Sequence, residues 1–396
     1  MRKLRNIAGA CCLAAASITA TGAVAAPASE IKIGFIASLT GPFAMFGEEM
    51  VNALKLGLEQ TGGKLGGIPA KLLIEDDQLK PPVTVQVARK FIDQDQVDVV
   101  LGPLSSNLQT AVVPLVTKQA MMIAPAGASS LFAGAQCNEN FFAVGWSTDT
   151  NFEAAGVYLR EKDAKRVYAI AINIQAGGDA INGFKREYKT PLVGETYVKL
   201  DQTDFSAEIS QIRAANPEAL VFFIPGGNGI AFVKQFAQAG LGDKVTLYSA
   251  NFQMDELTYP ALGDAVLGSM VTGNWSSALD NPANKKFVAA FREKFKRNPS
   301  PTAAMTYDTV LMLDAAVKEA KGEVKDLDKL RAAIRHVKYD SVRGPVSVNQ
   351  NHTPIQHFYM NKLVKSPSGE ITSQLVGTVL KDRPDGNAPK CQMSWK

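Results

Sequence analysis

The segment IKIGFIASL (residues 31–39) decides the fold, because the chain says it twice. It is a short apolar run followed by a Gly-rich loop, TGPFAMFG (40–47), and a helix-like stretch. A strand LLIEDD (72–77), a helix PPVTVQVARKFIDQDQ (81–96) and a strand VDVVLGP (97–103) come next. From residue 166 the order recurs as RVYAIAINI (166–174), a Gly-rich loop AGGDA (176–180) and a helix INGFKREY (181–188). It continues with a strand ETYVKLDQ (195–202), a helix FSAEISQIRAANP (205–217) and a strand ALVFFIP (219–225). Short β-rich runs alternating with helical periods give a parallel α/β sheet. Two copies of one βαβαβ unit predict two Rossmann-like doubly wound lobes with a cleft between them, and clefts bind ligands.

Working outward, SSNLQTAVVPLVTKQ (105–119) reads as a helix opened by Ser105, Ser106 and Asn107, and MMIAPAG (121–127) as a buried strand. In the second unit IAFVKQFAQAGL (230–241) is a helix, and TLYSANF (246–252) and GSMVTGNW (268–275) are strands. Helices follow at 284–295, 303–320 and 327–336, set to return to the first lobe. VRGPVSVNQN, HFYMNKLVK and SQLVGTVLKD close the chain as β-rich pairs.

At 396 residues, 46% of them hydrophobic, the chain has apolar mass for two cores. The formal net charge is +4 with no long basic run, which favours neither nucleic acid nor an anionic membrane as partner. Arg2, Lys3 and Arg5 precede an apolar stretch that ends in Ala23-Val24-Ala25-Ala26-Pro27. Residues 1–26 therefore read as a secretory signal peptide cleaved near Ala26, and the protein as periplasmic. Its removal leaves a nearly neutral chain. Cys11 and Cys12 leave with it, and neither has the upstream Leu that a lipid attachment site wants. Cys137 and Cys391 remain. Two cysteines in an exported chain are expected to pair, stabilising a very long loop by about 4–5 kcal/mol; two separate thiols are the alternative.

In open α/β sheets ligands bind where strands end and helices begin. The loops in question hold Ser38 to Gly47, Leu104 to Ser106, Pro125 to Ala128, Ile174 to Gly178, Pro225 to Asn228 and Ala250 to Gln253. Small residues there let a ligand approach amides at helix starts, which favour an anionic group such as a carboxylate. Phe43, Phe46, Phe252 and Trp275 supply candidate apolar walls. Enzyme readings find no support. His336, His352 and His357 lie late and outside these loops, and no nucleophile elbow or phosphate loop occurs. No cofactor or metal is expected. Glu75-Asp76-Asp77 reads as a solvated turn.

IKIGFIASLTGPFAMFGEEMVNALKLGLE resembles the start of the type I periplasmic binding proteins of the branched-chain amino-acid (leucine/isoleucine/valine) ABC-transporter class. So do VDVVLGPLSSNLQTAVVPLV, MMIAPAGASS, GFKRE and DNPANKKFVAAFREKF…PSPTAAMTYDTVLML. The resemblance runs over about residues 30–380. It implies two lobes joined by three crossings near 147, 275 and 345, with 27–147 and 276–345 in the first lobe and 148–275 and 346–396 in the second. It implies a monomer that closes on a small ligand and docks on an ABC permease. The family holds a ligand carboxylate at positions matching Ser105, Ser106, Ala126 and Ala128, with an aromatic at Phe46.

The chain departs from amino-acid binders, which usually place Thr at Ala128, Tyr near Ala176 and an acid near Asn251. Without that acid a buried α-ammonium is poorly compensated. Gln175-Ala176-Gly177, Ala250-Asn251-Phe252 and Trp275 resemble the branch that binds aromatic carboxylates of the benzoate, hydroxybenzoate or phenylpropenoate types, as does the Cys137 and Cys391 pair. Gly226, Gln175 and Asn251 are expected to face the ligand from the second lobe. An aliphatic amino acid, a urea-like solute, an enzyme and a sensory domain on the same scaffold are the alternatives.

Overall fold

The computed structural model describes residues 28–395, so the signal-peptide reading lies outside the described residues. Strand order reproduces the repeat. In the first sheet it runs Lys64–Leu65, Ile68–Asp76, Ile31–Ala37, Val99–Leu101, Met121–Ala124, Phe141–Ala143, parallel except for the Lys64–Leu65 hairpin. In the second it runs Gly194–Val198, Val167–Ile172, Ala219–Phe223, Thr246–Ala250, Met270–Gly273 in parallel. Pro354–Lys365 and Ile371–Arg383 then add antiparallel. In each sheet the unit's first strand lies between its second and third. Strand order therefore reverses beside Ile31–Ala37 and beside Val167–Ile172, and a crevice opens there in each lobe.

Strands covered on both faces must be apolar throughout. Val167–Ile172 is buried at every residue, and so is Ala219–Phe223. The late helices Pro282–Phe295, Pro301–Glu319 and Leu327–His336 do return to the first lobe. Their Phe287, Phe291, Met305, Leu313 and Leu330 share one core with Ile33, Phe35, Met50 and Leu54. Where the sequence suggested Gly-rich loops, two helices start early: Gln175–Tyr188 takes AGGDA into its first turns, and Gly227–Gln238 takes in Gly227 and Gly229.

The three crossings meet in a buried polar hub. Arg343, 2% exposed, pairs with Asp308 at 2.9 Å and donates to Gln356 Oε1 at 2.7 Å. Asn274 Nδ2 donates to Gly145 O (2.9 Å) and to Gln356 Oε1 (2.8 Å), and Gln356 Nε2 donates to Gly145 O (2.7 Å). One residue from each crossing is thus tied to the same glutamine. Cys137 and Cys391 are bonded, with a sequence separation of 254, which fastens the C-terminal tail to the first lobe.

Asp76 and Asp77 form no solvated turn. Asp77 is buried and accepts Ser38 Oγ (2.7 Å) and Leu79 N (2.8 Å), while Asp76 accepts Leu39 N (2.8 Å). The two carboxylates shape the loop that follows Ile31–Ala37.

Candidate ligand-binding cleft

Both reversal points open onto one cavity between the lobes. Its walls are Phe43, Phe46, Leu104, Ser105, Ser106, Gly127, Trp146, Thr148, Ala176, Phe223, Pro225, Phe252 and Thr302. It is a slot of about 460 Å³, part of which is open to solvent.

Five helices present their first turn to this slot. Ser106 opens Ser106–Val116 and Thr148 opens Thr148–Glu161; Ala176, Thr302 and Phe46 stand in the first turns of Gln175–Tyr188, Pro301–Glu319 and Ala44–Gln60. First-turn amides have no intrahelical acceptor, and the helix dipole adds partial positive charge. The slot therefore favours an anion although no Lys or Arg lines it. Ser106 Oγ and Thr148 Oγ1 stand 3.5 Å apart. Gln109 braces the loops behind them, donating to Pro103 O (2.9 Å) and Gly127 O (2.8 Å) and accepting Ser129 N (2.8 Å).

The other end is aromatic. Phe252 stacks on Trp146 (centroids 5.1 Å apart, planes at 12°) and stands edge-on to Phe46 (6.5 Å) and Phe223 (6.2 Å). It packs against the hydrophobic cores of both lobes. No Asp or Glu is among the lining residues.

Of the residues singled out from sequence, Phe43, Phe46, Ser105, Ser106, Ala176 and Phe252 line the slot. Ala126 and Ala128 do not. They alternate with Gly127, which does, and their carbonyls accept Trp146 N (3.0 Å) and Thr148 Oγ1 (3.3 Å). Trp275 is a correction: its side chain enters the first lobe's core, its Nε1 donates to Asn284 Oδ1 at 2.7 Å, and it is no wall of the slot. Asn251 Nδ2 donates to Trp275 O at 3.0 Å, so this side chain secures the second crossing instead of facing the slot. Gln175 donates to Asp179 Oδ1 (2.8 Å). Gly177 serves helix packing, since a side chain there would collide with Ile172 O. Gly226, at φ 73°, packs against Pro42 O of the opposite lobe.

Trp146, Thr148, Phe223 and Thr302 escaped the sequence reading. Trp146 and Thr148 belong to the first crossing and Phe223 to a strand end. Thr302 follows Pro301, and the pattern Ser300-Pro301 at a helix start was the available signal for it.

A family model described as periplasmic binding protein matches residues 30–368. The chain is a periplasmic binding protein. Among curated relatives of this periplasmic binding protein is the Leu/Ile/Val-binding protein homolog 6 of Brucella melitensis. It is 26% identical over 388 residues, covering 94% of this chain and 98% of the relative. A solute-binding protein of an ABC transporter from R. palustris, solved in complex with benzoate, has a TM-score of 0.86 at 27% identity and covers 92% of this chain and 100% of that one. Another, from Rhodopseudomonas palustris BisB5 with 3,4-dihydroxybenzoic acid, has a TM-score of 0.84 at 28% identity, covering 90% and 99%. The family is one of solute-binding proteins of ABC transporters. Among the described residues no helix is long and apolar enough to cross a membrane.

Proposed function

We propose that this periplasmic binding protein carries an aromatic carboxylate of the benzoate or hydroxybenzoate class to an ABC permease. The observation that carries the reading is the make-up of the slot: five aromatic side chains, hydroxyls at helix starts and no charged side chain. A carboxylate gains the first-turn amides and the Ser106 hydroxyl, and it draws the Thr148 O–H away from its long bond to Ala128 O (3.3 Å), while the Ser105 O–H stays on Asn107 Oδ1 (2.6 Å). An aromatic ring gains stacking contacts from Phe46, Trp146 and Phe252. An α-ammonium would find no carboxylate, and burying it uncompensated is costly. The neighbours with benzoate and dihydroxybenzoate support the same class, while the Leu/Ile/Val names of the relatives favour the amino-acid reading.

The lobes hinge at the crossings near 147, 275 and 345, and closure on the ligand presents the docking face to the permease. The chain acts as a monomer without enzymatic turnover, after export with cleavage near Ala26. Isothermal titration of the purified protein against benzoate, 4-hydroxybenzoate and leucine tests the ligand class. Binding of the aromatic acids with leucine silent is the expected result. Binding of leucine with the aromatic acids silent would overturn it.

A further inference from the structure

Beside the slot, but outside its lining, one carboxylate of the second lobe reaches the first. Asp179 Oδ1 accepts Ser130 Oγ–H at 2.5 Å and Asp179 Oδ2 faces Ser130 N–H at 3.4 Å. Gln175 Nε2 donates to the same Oδ1 at 2.8 Å and holds the carboxylate in place. Asp179 is 4% exposed, and burial pushes its carboxyl above the usual range while the bonds from Ser130 and Gln175 pull it back.

Both ends are attached to the binding machinery without touching the ligand space. Ser130 opens the short helix Ser130–Ala133, two residues beyond the strand Gly127–Ala128 whose Gly127 lines the slot. That segment is anchored by Asn351 Nδ2, which donates to Ala133 O at 2.6 Å, and by the nearby Cys137–Cys391 bond. Asp179 lies one turn along the helix whose Ala176 lines the slot from the other side.

We infer that Asp179 is a positioning residue, a latch that bonds to Ser130 when the lobes close and sets how long the closed complex lasts. A carboxylate hydrated in the open form loses water on closure, and the bonds from Ser130 replace it. Without those bonds closure leaves the same ligand contacts but a weaker hold between the lobes. A ligand enters the open form and leaves only after reopening, so the latch acts on release and not on capture.

The inference rests on lobe closure and is independent of the ligand's chemical class. Its test uses spin labels at exposed Lys118 of the first lobe and Lys199 of the second, with inter-label distances recorded without ligand and with millimolar benzoate. Asp179→Ala should shift population from the short distance to the long one relative to wild type. In stopped-flow fluorescence with benzoate it should speed dissociation about tenfold and leave association within about twofold, the size expected for losing a bond to a charged group. Asp179→Asn keeps the Oδ1 acceptor and should recover part of the loss. Ser130→Ala keeps only the N–H and should fall between wild type and Asp179→Ala. Identical distance distributions for wild type and Asp179→Ala, under a condition in which the wild type populates the short distance, would overturn the latch; where benzoate leaves the wild type open, leucine takes its place in the same measurement. A wild type that ignores benzoate overturns only the ligand reading.

Discussion

One methyl group separates Gly226 from alanine, and here it would sit against Pro42 O of the opposite lobe, on a backbone at φ 73°. With ψ at −152° this is a conformation essentially reserved for glycine, and it costs an L-residue about 1–3 kcal/mol. The collision exists only while the lobes are together. Gly226→Ala is therefore expected to weaken ligand binding about tenfold or more, while the backbone strain by itself lowers the melting temperature of the ligand-free protein by a few degrees. Titration calorimetry beside a thermal melt checks this, and an unchanged affinity would show that the loop yields. At this scale the sequence was a partial guide. Ser105 and Ser106 were legible because the loop after a buried strand is placed by the strand itself, and Phe46 because it lies where the loop after Ile31–Ala37 runs into a helix. Trp275 stands just after a strand as well, yet its indole N–H needs a buried acceptor and finds Asn284 in the first lobe's core. Chain position fixed where Trp275 stands; the acceptor fixed where it points.

At the scale of elements, the hub around Gln356 joins the three crossings through the Gly145 carbonyl and the side chains of Asn274 and Arg343, with Asp308 of Pro301–Glu319 paired to Arg343. Arg343 and Asp308 are buried, so their attraction offsets a large desolvation cost only while both are present. Arg343→Met should destabilise the protein by about 3–5 kcal/mol, measured by urea unfolding, because Asp308 is left as a buried unpaired charge. Adding Asp308→Leu should restore part of that loss. Full additivity of the two substitutions would mean that they do not interact. The hub was invisible beforehand because Asn274, Asp308, Arg343 and Gln356 come from four separate segments, and no pattern within a segment says that their polar ends meet. The helices around it were legible in their periodicity and caps: Leu327–His336 has the bounds expected from its apolar spacing, and Asn281 and Ser300 cap the two before it.

At the scale of the whole molecule, the segment around Cys391 helps to hold the first lobe. The Cys137–Cys391 bond spans a separation of 254 residues, a long loop to leave unconstrained in the unfolded chain. Cys137→Ser with Cys391→Ser should cost about 4–5 kcal/mol by chain entropy, read as an earlier unfolding transition in denaturant. Reduction of the wild type should move that transition the same way, and no shift in either experiment would show that the tail is held by its other contacts.

The sequence by itself determined the two doubly wound lobes, the return of the late helices and the loops at which a cleft forms, and it pointed to the Cys137–Cys391 pairing while leaving separate thiols as the alternative. Hydrophobic period and turn chemistry are local properties of a chain, and the handedness of parallel crossovers leaves few ways to connect what they define. Tertiary structure alone decided which of those loops face one another. It placed Phe252 against the cores of both lobes, brought the first turn of Pro301–Glu319 to a slot begun by residues about 250 positions earlier, and set Asp179 opposite Ser130. The angle at which three crossings set one lobe on the other is a packing result, and no pattern within either lobe contains it.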